Sequence, residues 1–112
     1  MAQGTTGALL PVAWGTTVNV VSGPVLPANP SRTGLIFVNA WTGGAIAICP
    51  VALNSGVFGV YTGFAASVAV INGAGSITMQ PGDKFIIDNL NCTCAWNGIA
   101  SGAGAVLTIL ES

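Results

Sequence analysis

Leu26 to Asn39 reads LPANPSRTGLIFVN, and this stretch decides the fold. Its first half is built to turn. Pro27 and Pro30, with Pro24 just ahead of them, each fix φ and remove a backbone donor, so residues 24–30 predict extended loop and turn rather than a paired strand. Its second half continues as LIFVNAW, Leu35 to Trp41, an apolar and β-branched run that predicts a strand. A rigid turn feeding a short strand, with no helical period on either side, is the unit that the rest of the chain repeats.

Upstream, Thr16 to Ser22 (TTVNVVS) predicts the first clear strand, broken by Gly23-Pro24. Residues 1–15 have no clean period and predict an extended N-terminal arm, or an irregular lead-in to the first strand, leaving 16–112 as a single β domain. Downstream, Thr42-Gly43-Gly44 is a turn, and Ala45 to Cys49 a short strand ended by Pro50. Leu53 to Gly56 turns again before strands at Val57 to Thr62 and Ala65 to Ile71. Asn72-Gly73 is a two-residue hairpin signal, because both central residues of that turn need positive φ. Ser76 to Met79 is short, and Pro81-Gly82 fits a type II turn leading into Lys84 to Asp88. Cys92 to Ala100 predicts one or two strands, depending on whether Asn97-Gly98 turns or bulges, and Ala105 to Leu110 closes the domain. Turn signals every 8–12 residues or so mark a sandwich or closed barrel. The expectation is an all-β, jelly-roll-like β-sandwich or small barrel of about eight short antiparallel strands.

Composition limits what such a domain can do. The 112 residues make one domain, with no second lobe to enclose a cleft. Only Arg32, Asp83, Lys84, Asp88 and Glu111 carry side-chain charges, where an ordinary domain of this length has about 28. The surface must therefore be Ser, Thr, Asn, Gly, backbone and apolar atoms. Such a surface, at a net charge of −1, favours association, so we expect much of it to be covered in an assembly. Two basic residues are too few to neutralise nucleic-acid phosphates or to hold a membrane surface. No apolar run approaches the ~18–20 residues of a spanning helix, and the N-terminus lacks a signal peptide's basic and apolar regions. The expectation is a protein made in the cytoplasm that binds neither membrane nor nucleic acid.

The chemistry-bearing residues are few. There is no His, and Lys84 stands beside Asp83 in a turn, where a solvated charge pair is usual. Asp83 and Asp88, five apart, fall on opposite faces of a regular strand and do not form a catalytic carboxylate pair. Cys49, Cys92 and Cys94 make neither a disulfide framework nor a zinc site without a fourth ligand, and read as small buried hydrophobes. Gly73-Ala74-Gly75 and Gly102-Ala103-Gly104 have no following helix or Lys to cradle a phosphate. The expectation is no enzyme, no cofactor and no metal. Trp14, Trp41, Trp96 and Tyr61 are candidates to stack on sugar rings. Packing in the core or at a subunit interface is the stronger reading, since no acidic or amide cluster accompanies them.

Arg32 is the charge that matters most. It follows the Asn29-Pro30 turn and precedes an apolar strand. A lone Arg in so neutral a chain calls for Asp88, Glu111 or backbone carbonyls as partners. With Asn29 and Pro30 it forms a candidate structural clamp or subunit contact.

The segment Leu26 to Asn39, a Pro-Ala-Asn-Pro-x-Arg turn feeding a Leu-Ile-x-x-Asn strand, resembles a pattern in small virion proteins of tailed bacteriophages. The Pro81-Gly82 turn before Phe85-Ile86-Ile87 is similar, as is Trp96 to Glu111, an aromatic strand, a glycine loop and an apolar strand ending in Leu-Glu. The resemblance spans roughly residues 16–112, and its specific part is Ala28 to Asn39. The Cys-containing strand and the neutral N-terminal arm depart from it. It implies a β-sandwich protein of the phage particle, a head decoration or cement protein on the capsid surface. Its partners would be the major capsid protein and other copies of itself, as a dimer or trimer, and residues 1–15 would reach a neighbour. The competing expectations are a tail or fibre component and a carbohydrate-binding adhesive module.

Overall fold

The computed structural model describes residues 12–51, 68–87 and 93–112, and among these the chain is all-β. Eight strands form: β1 (Val12–Val18), β2 (Gly23–Leu26), β3 (Leu35–Asn39), β4 (Ile46–Pro50), β5 (Ile77–Met79), β6 (Lys84–Ile87), β7 (Trp96–Ala100) and β8 (Ala105–Glu111). They make two four-stranded antiparallel sheets, ordered β1-β8-β3-β6 and β2-β7-β4-β5. Every connection except β4 to β5 crosses between the sheets. This is the jelly-roll order of two interlocked Greek keys.

Strand alternation places the core. Val18, Leu35, Phe37, Leu107 and Ile109 point inward from the first sheet, and Leu26, Ile46, Ile48, Met79 and Trp96 from the second. Phe37 and Trp96 meet across the sandwich, with ring centroids 5.1 Å apart and planes tilted by 59°. Gly98 on β7 faces Val25 on the neighbouring β2, and a Cβ there would stand 3.0 Å from the Val25 methyl, so any side chain at this position would have to push that methyl aside.

Several boundaries differ from the sequence expectation. β1 begins at Val12, so residues 12–15 are strand rather than arm, and 19–22 leave the ladder. The reason lies across the sheet. Trp14, Thr16 and Val18 stand opposite Ile109, Leu107 and Ala105, and that inward row outweighs the β-branched run that follows. Gly23-Pro24 does not break a strand but opens β2. β2 is an edge strand paired only to β7, and it is bulged between Pro24 and Leu26, a setting that tolerates a missing N–H. β3 ends at Asn39 rather than Trp41, and Asn97-Gly98 neither turns nor ends a strand, but runs through β7. The expected strand at Val57 to Thr62 and the turn at Leu53 to Gly56 lie outside the described residues. Of Ala65 to Ile71, the described residues are not strand.

The turns follow backbone chemistry. Gly82 takes φ +88° after Pro81, and Asp83 N–H donates to Gln80 C=O at 2.9 Å, as type II requires. Asn72-Gly73 is not the expected hairpin. Asn72 alone has positive φ (58°), in a turn closed by Gly73 N–H to Val70 C=O.

Asn39 secures the far end of β3. Fully buried, it donates from Nδ2 to Gly44 C=O (3.0 Å) and Met79 C=O (2.8 Å), and its Oδ1 accepts Trp41 N–H (2.9 Å). Its backbone holds the β5–β6 turn through Asp83 C=O and Gly82 N–H. Asn39→Ala leaves these groups buried and unpartnered, so we expect a loss of about 3 kcal/mol. In urea unfolding the midpoint falls and the slope is unchanged.

Candidate functional site

The Asn29-Pro30-Ser31-Arg32 turn is a local consequence of its residues. Pro30 presets φ at the second position, Asn29 C=O accepts Arg32 N–H (3.1 Å), and Asn29 Oδ1 caps Ser31 N–H (3.0 Å). Asn29 N–H then ties the turn to Thr93 C=O (2.9 Å). The turn sends the Arg32 side chain inward, where it is 1% exposed.

Its guanidinium fork serves three segments at once. Nη2 donates to Pro27 C=O (2.7 Å), Nη1 to Cys94 C=O (3.3 Å) and Nε to Glu111 Oε1 (3.0 Å). Glu111 stands at the end of the inward row Ala105, Leu107, Ile109, opposite Val12 on β1 and Leu35 on β3. Its Oε2 accepts the Trp14 Nε1–H. The β2–β3 loop, the approach to β7, β8 and β1 are thus joined through one ion pair. Burial strips the Arg32 cation of water and the Glu111 carboxylate of most of it, so losing one partner strands the other.

The structure therefore brings together Asn29, Pro30 and Arg32 as a clamp, with Glu111 as the carboxylate; Asp88 lies outside the described residues. Trp14, expected at an interface, belongs to the clamp. Trp96 lies in the core, where it meets no partner molecule. Trp41, half-buried over Gly43 and Gly44, sits beyond the opposite end of β3. These three rings share no groove for a sugar, and Tyr61 lies outside the described residues. A depression of about 180 Å³ at the β1–β2 corner, lined by Thr17, Asn19, Val21, Gly23, Pro24, Val25 and Gly98, is smaller than the ~300–1,000 Å³ of small-molecule sites.

Among the described residues no three His, Cys, Asp or Glu side chains gather at one place, and no helix is long and apolar enough to cross a membrane. Cys49 is buried, which pushes its thiol up from the ordinary value and keeps it protonated. Cys94 is half-buried beside the clamp, and Cys92 lies outside the described residues.

The two outer faces of the sandwich differ, and sequence reasoning missed this. On β4, Ala47 and Cys49 point outward yet are buried. The chain ahead of β5 spans this sheet: Ala69 N–H donates to Ser22 Oγ beside β2 at one edge (2.9 Å), and Asn72 N–H to Thr78 Oγ1 on β5 at the other (2.8 Å). Small residues on β4 leave room for that covering segment, in which Ala69 is itself buried.

Among the described residues no segment covers the outer face of the first sheet. Ala13, Leu110, Ile36 and Ile86 stand in register across all four strands, and Gly15, Thr108, Val38 and Lys84 form the next row. Thr17 and Val106 make a third. Ile86 is 59% exposed and Val106 43%. The signal was present in the alternation of β3, β6 and β8, but reading it as a face needs the strand order.

No protein-family model matches this chain, and no curated protein matches its sequence. A solved structure described as "Bacillus endospore appendages form a novel family of disulfide-linked pili" is similar over 91% of this chain and 84% of that one, at 15% identity and a TM-score of 0.48. At that score neither fold nor role rests on the likeness.

Arg32→Ala removes three segments' shared donor and leaves Glu111 without its cation. We expect a loss of about 3 kcal/mol, near the low end for a broken buried pair because Glu111 keeps some contact with water. The melting temperature should fall by roughly 10 °C. Arg32→Lys should recover little, since an ammonium cannot span the fork. Calorimetry of the two variants checks both statements.

Proposed function

We propose that this chain is a structural protein, a capsid decoration or cement protein of a tailed-phage head that bridges neighbouring capsid subunits. The observation that carries the reading is the open first sheet: a four-strand apolar face in a chain with five charged side chains. One sheet is covered by the chain's own backbone, and the other is left for protein to cover. The clamp supports the same reading. It spends the chain's only arginine on holding loop and strands rigid, as a module loaded by its neighbours requires. The resemblance of Leu26 to Asn39 to phage virion proteins supports a place on the particle. The tail or fibre alternative shares these features, while the carbohydrate-binding alternative gains no shared aromatic platform from Trp14, Trp41 and Trp96.

Mixing the purified protein with empty capsids and sedimenting them tests the proposal. The expected result is co-sedimentation at a fixed ratio to capsid subunits. Binding should change little between low and high salt, because so few charges are there to be screened. Protein that stays in the supernatant would remove the decoration role.

A further inference from the structure

We propose that the open face of the first sheet is the contact surface for a second copy of this chain, in a face-to-face dimer whose two-fold axis runs along the strands between β8 and β3. This goes beyond the decoration role and stands whether or not the protein meets a capsid.

The face is self-complementary in size. A two-fold axis parallel to the strands keeps each cross-strand row at its own level and reverses the strand order. β1 then lies over the partner's β6, and β8 over the partner's β3. In the first row the smallest side chain, Ala13, meets the partner's most exposed one, Ile86, while Leu110 meets Ile36. In the second row Gly15, with no side chain, lies under the partner's Lys84, and Thr108 under Val38. An axis across the strands, through the first row, would set Ala13 on Ala13 and Ile86 on Ile86, small on small and large on large. Stacked sheets close at about 10 Å with their strands within about 30° of each other, so the strand-parallel axis is the one that fills this gap.

Charge agrees with size. Lys84 is the only charged side chain in these rows. The strand-parallel axis puts the two Lys84 residues on opposite edges of the dimer. Each aliphatic stem crosses Gly15 and releases its ammonium to water past the β1 edge. The axis across the strands would set both on one edge. A partner of strong charge finds only Lys84 on this face to pair with, whereas a second copy needs no charged partner.

The area suits a reversible dimer. Ten outward residues on four strands offer about 600 Å² per copy, or about 1,200 Å² for the pair, the lower end of specific interfaces. An interface this small is expected to dissociate at about micromolar concentration. The closure is isologous, so the assembly stops at two and does not grow into a fibre.

Sedimentation velocity of the full chain over a range of concentrations, without capsids, tests this. The wild-type protein should pass from monomer to dimer in the micromolar range. Ile86→Asp should weaken the dimer at least 30-fold and leave the melting temperature of the monomer, read at concentrations too dilute for the dimer, nearly unchanged, since the residue is outside the core. Ala13→Ile should weaken it by overfilling the first row, and adding Ile86→Ala to that variant should restore it. A wild-type protein that stays monomeric to near-millimolar concentration would overturn the proposal. So would a dimer indifferent to Ile86→Asp, or a double variant no better than Ala13→Ile. Because capsids are absent, failure here leaves the decoration role standing, and failure to co-sediment with capsids leaves this dimer standing.

Discussion

Everything in the first sheet depends on β8 lying between β1 and β3. Val12 to Val18 pairs with Ala105 to Glu111 along its whole length, and the other edge of β8 pairs with β3. The inward row of β8 supplies Leu107 and Ile109 to the core and ends in Glu111, whose carboxylate binds both Trp14 and Arg32. A slip of β8 by one residue would turn Leu107 and Ile109 out to water and carry the carboxylate away from the guanidinium. The ion pair therefore acts less as a source of attraction than as a mark of register: one arrangement satisfies it, and the neighbouring ones bury a charge with no partner.

Asn39 does the corresponding work at the other end of β3. Between Arg32 and Asn39 the inward positions are Leu35 and Phe37, so a short apolar stretch is bounded by two polar side chains that bond backbone carbonyls, a carboxylate and one backbone N–H. Apolar burial drives the sheets together without specifying direction. The hydrogen bonds at these two ends specify it. Neither residue gives a site for chemistry, since each is sealed within the fold it orders.

Much of this was legible before the strands were placed. Pro30 after Asn29 and Gly82 after Pro81 each dictate a turn through their own backbone preferences, and those turns stand where expected. Arg32 was identifiable because the chain's one arginine, beside an apolar strand, must find a partner, and the guanidinium's fork suited carbonyls. What escaped were effects of the neighbouring strand. Trp14 is strand because Ile109 lies opposite it, and Pro24 is strand because β2 is an edge; neither fact is local. The contrast between the faces was hidden for the same reason. Ala47 and Cys49 look like ordinary core residues, and only the bonds from residues 69 and 72 to the two edges of the second sheet show that a length of chain lies over them.

The pairing of β1 with β8 also sets how the protein must fold. Trp14 and Glu111 are 97 residues apart in sequence, so the chain must close a very long loop before it gains the contacts that hold the first sheet together. Loop entropy of that kind places a jelly roll among the slow folders, on the order of milliseconds to seconds. For that interval the apolar segments of β3, β6 and β8 are exposed, with Lys84 and Glu111 as their only charged side chains. The sequence that makes a surface ready to adhere in the native state thus makes the unfinished chain adhesive too, and its yield of soluble protein depends on how dilute the folding chains are.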